Sequence, residues 1–244
     1  GGASYRLGFS GEDAWIERDG WPKLPTDPAH KLYVRWRIKS TISLPKGPHK
    51  FIRVYDSAGG SPDMMGVAWT TDKLALTFTA QSSNSGWAET RIDPDEWYLL
   101  EIIIDKGTRS ASAYLNGQLI RTTTDDRLDD HNRQWFPRLV GFDAAAAGSL
   151  SGATLWLTDY YADVTPARVE VCDAPEWNAC TRREVQVVSS WASDRIVFEP
   201  NLGSLAGGDS AFAYVFDNQG LTNSEGVPLS LAPNPRPPGS VVVD

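Results

Sequence analysis

Short runs rich in Val, Ile, Tyr, Trp and Thr, bounded by Gly, Pro, Asn and Asp, recur along the whole chain, and no segment keeps a 3.6-residue apolar period for three turns. That single property excludes a helical or α/β fold and predicts an all-β protein. In KLYVRWRIKS (31–40), Leu32, Val34, Trp36 and Ile38 fall on one side of an extended strand, and Tyr33, Arg35, Arg37 and Lys39 on the other. One side is core and the other carries charge. EWYLLEIIIDKGTRSASAYLNGQLIRTT (96–123) reads as three strands, with Asn116-Gly117 supplying the positive φ angles of a tight hairpin turn. Further strands are expected at about 31–39, 50–56, 65–70, 73–81, 86–92, 136–143 and 153–163. So many short strands at this spacing suggest a sandwich.

After TPARVEV the texture changes to a cysteine-flanked loop followed by REVQVVSSW, DRIVFEPN and SAFAYVFDNQG, each a strand with a turn behind it. A boundary near residue 167 divides the chain into 1–167 and 168–244, the second part being about the size of a minimal immunoglobulin-like sandwich. The tail APNPRPPGSVVVD is extended where it is Pro-rich, and SVVVD is suited to joining a sheet edge.

Composition narrows the function classes. A formal charge of −8 over 244 residues argues against nucleic-acid binding through a broad cationic surface, so any basic site must be local. No run of 18 apolar residues suggests a membrane span. The opening GGASYRLGFS lacks Met and a charged-then-apolar leader, which either a removed leader or a trimmed chain would explain. Cys172 and Cys180 have no neighbours that complete a zinc set, and a short disulfide in an exported protein is the reading preferred over two unpaired thiols. Trp177 inside that loop is expected to cover the disulfide.

WYLLEIIIDKGTRSASAYLNGQLI and TLWLTDYYADVT resemble the concanavalin A-like jelly rolls of the laminin G, bacterial lectin and polysaccharide-lyase superfamily, over roughly residues 3–166. RREVQVVSSWASDRIVFEPNLGSLAGGDSAFAYVFDNQG resembles the immunoglobulin-like modules that follow catalytic or binding domains in secreted bacterial proteins. The resemblance implies extracellular work and a concave sheet as ligand platform. It also implies one structural calcium between the N-terminal loop and the last strand, with Glu12, Asp13, Asp159 and Asp163 as oxygen donors; solvated loop acids are the alternative.

If 31–39 pairs antiparallel with 50–56, Arg35 or Arg37 comes within cross-strand reach of Arg53, flanked by Tyr33 and Tyr55. Guanidinium forks bind uronate carboxylates or sulfates in two-point fashion, so such a face suits an anionic polysaccharide. The plain alternative pairs these arginines with Asp56, Glu101 or Asp105. Of the ten tryptophans, Trp36, Trp97 and Trp156 are expected in the core, whereas Trp69, Trp87 and Trp135 adjoin polar loops and are candidate stacking platforms.

An enzymatic alternative is β-elimination from a uronate. That reaction needs a group to neutralise the carboxylate and a base, and His49, Lys50, Arg53 and Tyr55 lie on or beside one strand. The Gln-x-His strand of the alginate lyases and the paired carboxylates of the related glycoside hydrolases are absent, which favours a non-catalytic, lectin-like binder. A third reading is a filament or surface-layer subunit that self-associates by exchanging terminal strands.

Overall fold

The computed structural model describes residues 5–8, 14–17, 31–44, 49–56, 65–70, 73–78, 88–89, 92–124, 135–142, 152–207, 210–229 and 241–243. The chain divides into two compact units: Ala3–Val164, and Thr165–Asp244 together with Gly1–Gly2.

The larger unit holds β1 (Tyr5–Gly8), β2 (Ala14–Glu17), β3 (Lys31–Ser40), β4 (His49–Asp56), β5 (Met65–Thr70), β6 (Lys73–Phe78), β7 (Ala88–Glu89), β8 (Tyr98–Asp105), β9 (Ser110–Leu115), β10 (Gln118–Thr124), β11 (Trp135–Phe142) and β12 (Thr154–Asp163). They form two six-stranded antiparallel sheets, in the orders β1-β12-β3-β8-β9-β10 and β2-β11-β4-β5-β6-β7. The chain switches sheet between β1 and β2, β2 and β3, β3 and β4, β7 and β8, β10 and β11, and β11 and β12. Only β4 to β7 and β8 to β10 run as meanders. This interleaving is the wiring of a jelly-roll sandwich.

The core face of the first sheet is the apolar parity read from the sequence. Leu32, Val34, Trp36 and Ile38 on β3, Leu100, Ile102 and Ile104 on β8, Ala111 and Ala113 on β9, and Leu155 and Leu157 on β12 are all buried. Small residues on β9 and large ones on β3 and β8 fill one apolar layer. Asn116 and Gly117 take φ of 51° and 79°, so the expected hairpin turn forms, and the Asn116 side-chain carbonyl also accepts the Leu99 N–H at 2.9 Å.

The topology corrects the expected pairing of 31–39 with 50–56. β3 is bonded to β12 and β8, and β4 to β11 and β5, so the two segments sit in different sheets. The connection between them carries Pro45 and Pro48, which lack the N–H a ladder needs, and it is longer than the two to five residues of a hairpin loop. β1 and β2, too short to announce themselves by alternation, were not expected as strands.

The smaller unit contains β13 (Arg168–Cys172), β14 (Arg183–Val185), β15 (Val187–Trp191), β16 (Ile196–Glu199), β17 (Ala211–Phe216), β18 (Val227–Leu229) and β19 (Val241–Val243). A four-stranded sheet, β14-β13-β17-β18, and a three-stranded one, β15-β16-β19, enclose Val169, Val171, Ile196, Phe198, Leu205, Ala211 and Ala213. REVQVVSSW, expected as one strand, breaks at Gln186. That buried side chain donates to the carbonyls of Glu184 and Asn201 and accepts the Asn201 N–H, pinning the corner where the chain changes sheet. The terminal SVVVD does join an edge, that of β16 in its own unit.

The other face of β13 carries Arg168, Glu170 and Cys172, all buried. Cys172 and Cys180 are joined by a disulfide, and Trp177 packs edge-on to Tyr214 and Phe216 at 5.0 and 4.9 Å, in the cluster that holds both cysteines. The Arg183 guanidinium lies 4.0 Å over the indole. Among the described residues no helix is long and apolar enough to cross a membrane.

Candidate functional site

Pleating turns the non-core parity of the first sheet into a grid of polar and aromatic side chains whose rows are set by strand register. At one end Trp156 of β12 stands opposite Lys39 of β3, and Trp97 immediately precedes β8 beside it. The Lys39 ammonium lies 4.7 Å from the Trp156 ring centre and 5.5 Å from that of Trp97. Each is within cation–π range. Trp97 is 40% exposed. The core role expected for Trp97 and Trp156 is therefore corrected. Their apolar neighbours suggested packing, but both share the parity of Lys39, Glu101 and Thr158 and lie on the outer face, where this row was missed. The register was legible only once β3, β8 and β12 were known to be adjacent.

The next row holds Thr158, Arg37 and Leu99. A β-bulge follows on β12, between Thr158 and Tyr161, and within it Asp159 takes φ of 53°, uncommon for a residue with a side chain. Its carboxylate meets the Arg37 Nε at 3.2 Å and accepts the Thr158 hydroxyl, also at 3.2 Å. The Tyr160 hydroxyl is buried, and burial pushes its pKa well above that of an ordinary tyrosine. It stays protonated and is ill suited to act as a base.

Beyond the bulge, Tyr161, Arg35, Glu101 and Tyr114 form a row, followed by Asp163, Tyr33, Ile103 and Ser112. The Tyr33 hydroxyl donates to Glu101 Oε1 at 2.5 Å, and its ring lies 6.1 Å from that of Tyr161. The Tyr161 hydroxyl donates to Asp163 Oδ2 at 2.7 Å, and the Val164 N–H to Asp163 Oδ1 at 2.6 Å. The last row pairs Lys31 with Asp105 at 3.1 Å.

Two corrections follow. Tyr33 and Arg35, expected on the wet side, are each 1% exposed, so they are a floor and not a contact surface. Nor does the face gather the expected constellation. Tyr33, Arg35 and Arg37 lie on the first sheet, whereas His49, Lys50, Arg53 and Tyr55 lie on β4 of the second. In that second sheet the register sets His49 opposite Trp69, and Trp135 opposite Asp56. Trp87, Glu12 and Asp13 lie outside the described residues.

Of the remaining calcium candidates, the Asp159 carboxylate faces a guanidinium and both Asp163 oxygens accept hydrogen bonds. Among the described residues, the one group of three ligand-type side chains is Cys172, Asp173 and Cys180. There both sulfurs are spent in the disulfide, and Asp173 accepts from the Thr181 hydroxyl and N–H and from Arg182 N–H and Nε.

Together these elements define an all-β protein whose larger unit is a jelly-roll sandwich with an aromatic and charged outer face. No protein-family model matches the chain, and no curated protein matches it. Among solved structures it is similar to the cellulose-induced protein Cip1, at 16% identity and a TM-score of 0.49 over 66% of this chain and 78% of that one. It is also similar to a variant of alginate lyase A1-II′, at 11% identity and a TM-score of 0.48 over 68% and 80% of the two chains. A third is the native heptameric SAP-like pentraxin of Limulus polyphemus, at 15% identity and 0.43 over 64% and 74%. At such identities no residue role is carried from those proteins to this chain.

Proposed function

We infer that the chain is an extracellular carbohydrate-binding protein whose larger unit holds an acidic polysaccharide against the outer face of the first sheet. The observation that carries this reading is the row Trp156–Lys39–Trp97, in which an ammonium stands between two indoles, one of them 40% exposed. Indole faces take the apolar C–H side of a sugar ring, and an ammonium takes a carboxylate or sulfate. Arg37, oriented by Asp159 in the adjacent row, adds a second cation. The Cys172–Cys180 disulfide supports an oxidising compartment. The second unit, with seven short strands in two sheets, is assigned as an immunoglobulin-like module that positions the first.

The test is calorimetric titration with alginate, glucuronan and heparin, using the wild-type chain, Trp97→Ala and Lys39→Gln. The expected result is binding that each variant weakens about tenfold and that about 0.5 M salt weakens further. Wild-type affinity in both variants would remove the row from the site. Accumulation of unsaturated uronate during the titration would replace binding by lyase chemistry.

A further inference from the structure

The outer face of the first sheet carries four described cations on β3, namely Lys31, Arg35, Arg37 and Lys39, and four described carboxylates, Glu101, Asp105, Asp159 and Asp163. They are not distributed at random. Lys31 is paired with Asp105 at 3.1 Å and Arg37 with Asp159 at 3.2 Å, and Arg35 stands directly opposite Glu101 in the ladder. Lys39 meets two indoles and no described carboxylate, while Asp163 meets a tyrosine hydroxyl and a backbone N–H and no described cation. Among the described residues the face is therefore left positive at Lys39 and negative at Asp163.

Asp163 is level with Tyr33, six residues along β3 from Lys39, which is about 20 Å at the rise of a strand. Arg6 of β1 takes the register position opposite Trp156, so the next strand outward adds a basic residue at the Lys39 end. A ligand lying along β3 meets a cation with stacking rings at one end and an unneutralised carboxylate at the other. Two such charges lie too far apart, relative to the ionic screening length, to cancel one another.

We propose that the face selects a glycan whose charge is sparse, an anionic residue followed by neutral sugars, over a uniformly charged polyuronate. The anion takes the Lys39 end. Neutral hydroxyls donate to Asp163, where the carboxylate of a second uronate is repelled. Asp163 is thus a specificity residue that acts by repulsion, while Lys39 acts by attraction. This inference rests on the carbohydrate-binding reading of the same face and adds the charge pattern of the ligand.

The experiment compares the full chain's affinity for three polymers at one salt concentration: polymannuronate, deacylated gellan fragments with one glucuronate among neutral sugars per repeat, and a neutral β-glucan. Gellan is expected to bind about tenfold more tightly than polymannuronate, and Asp163→Asn to narrow that gap about fivefold by strengthening polymannuronate binding. Polymannuronate binding as tight as gellan, or an unchanged gap in Asp163→Asn, overturns the proposal and leaves the carbohydrate reading standing. A preference for the neutral glucan also overturns it. Binding to none of the three overturns both. Lys39→Gln, which keeps the stem of the side chain, should weaken gellan binding, and gellan binding unchanged in this variant also overturns the proposal.

Discussion

Replacing Glu101 by leucine tests whether the centre of the polar face is organised as a buried floor. Glu101 is 7% exposed, Arg35 opposite it 1%, and Tyr33, which donates to Oε1, also 1%. Replacing a buried carboxylate that stands opposite a buried guanidinium in the ladder takes a compensating charge out of a layer that water does not reach, at a cost of about 3–5 kcal/mol. Losing the tyrosine's acceptor adds about 1–2 kcal/mol. Near 2–4 °C per kcal/mol for a chain of this size, the unfolding midpoint of the larger unit should fall by about 10 °C or more. Glu101→Gln keeps an acceptor for Tyr33 and should cost about half as much. The double variant Arg35→Met, Glu101→Leu removes both charges and should recover most of the loss, a coupling that a thermal-melt double-mutant cycle reads directly. A loss below about 0.5 kcal/mol in Glu101→Leu, or no recovery in the double variant, would refute the idea that the two charges compensate one another across the ladder.

The smaller unit offers two independent checks. Removing the Cys172–Cys180 bond, which closes a loop with a sequence separation of 8, should cost that unit about 2.5 kcal/mol in urea unfolding, from loop-closure entropy alone. An unchanged urea midpoint for Cys172→Ser, Cys180→Ser would contradict this. At Asp173, burial acts to raise the carboxyl pKa, but the Thr181 and Arg182 hydrogen bonds outweigh it and hold the group well below the usual carboxylate range. Its folded pKa is depressed, so its contribution is complete above the ordinary value of 3.8 and is lost as pH falls below that toward the folded value. Asp173→Asn should flatten the acid limb of the smaller unit's stability curve. An identical acid limb in wild type and variant would place the titration elsewhere.

Much of the fold was legible because alternation fixes which side of a strand is apolar. The buried set Leu32, Val34, Trp36 and Ile38, the Asn116-Gly117 turn and the Cys172–Cys180 loop all follow from local rules. Alternation says nothing about which strands are neighbours. The 31–40 and 49–56 segments look like a hairpin in sequence, yet each has both edges occupied by other strands, and the arginine cluster built on their pairing dissolved with it. Parity alone would have placed Trp97 and Trp156 with Lys39, but the isoleucines and leucines around them outweighed it. The bulge at Asp159 was invisible because nothing in TDYYAD marks a residue at positive φ as glycine would. Burial of Arg35 depends on what surrounds it in three dimensions, which a one-dimensional pattern does not carry.

The most direct test of the site is to follow the indole N–H resonances of the full chain by NMR as an acidic oligosaccharide is added. Trp97 and Trp156, flanking Lys39, should shift together and saturably, while Trp177, packed on Tyr214 and Phe216 in the other unit, should stay in place. Shifts confined to tryptophans other than Trp97 and Trp156 would contradict the assignment of the sugar site to this face.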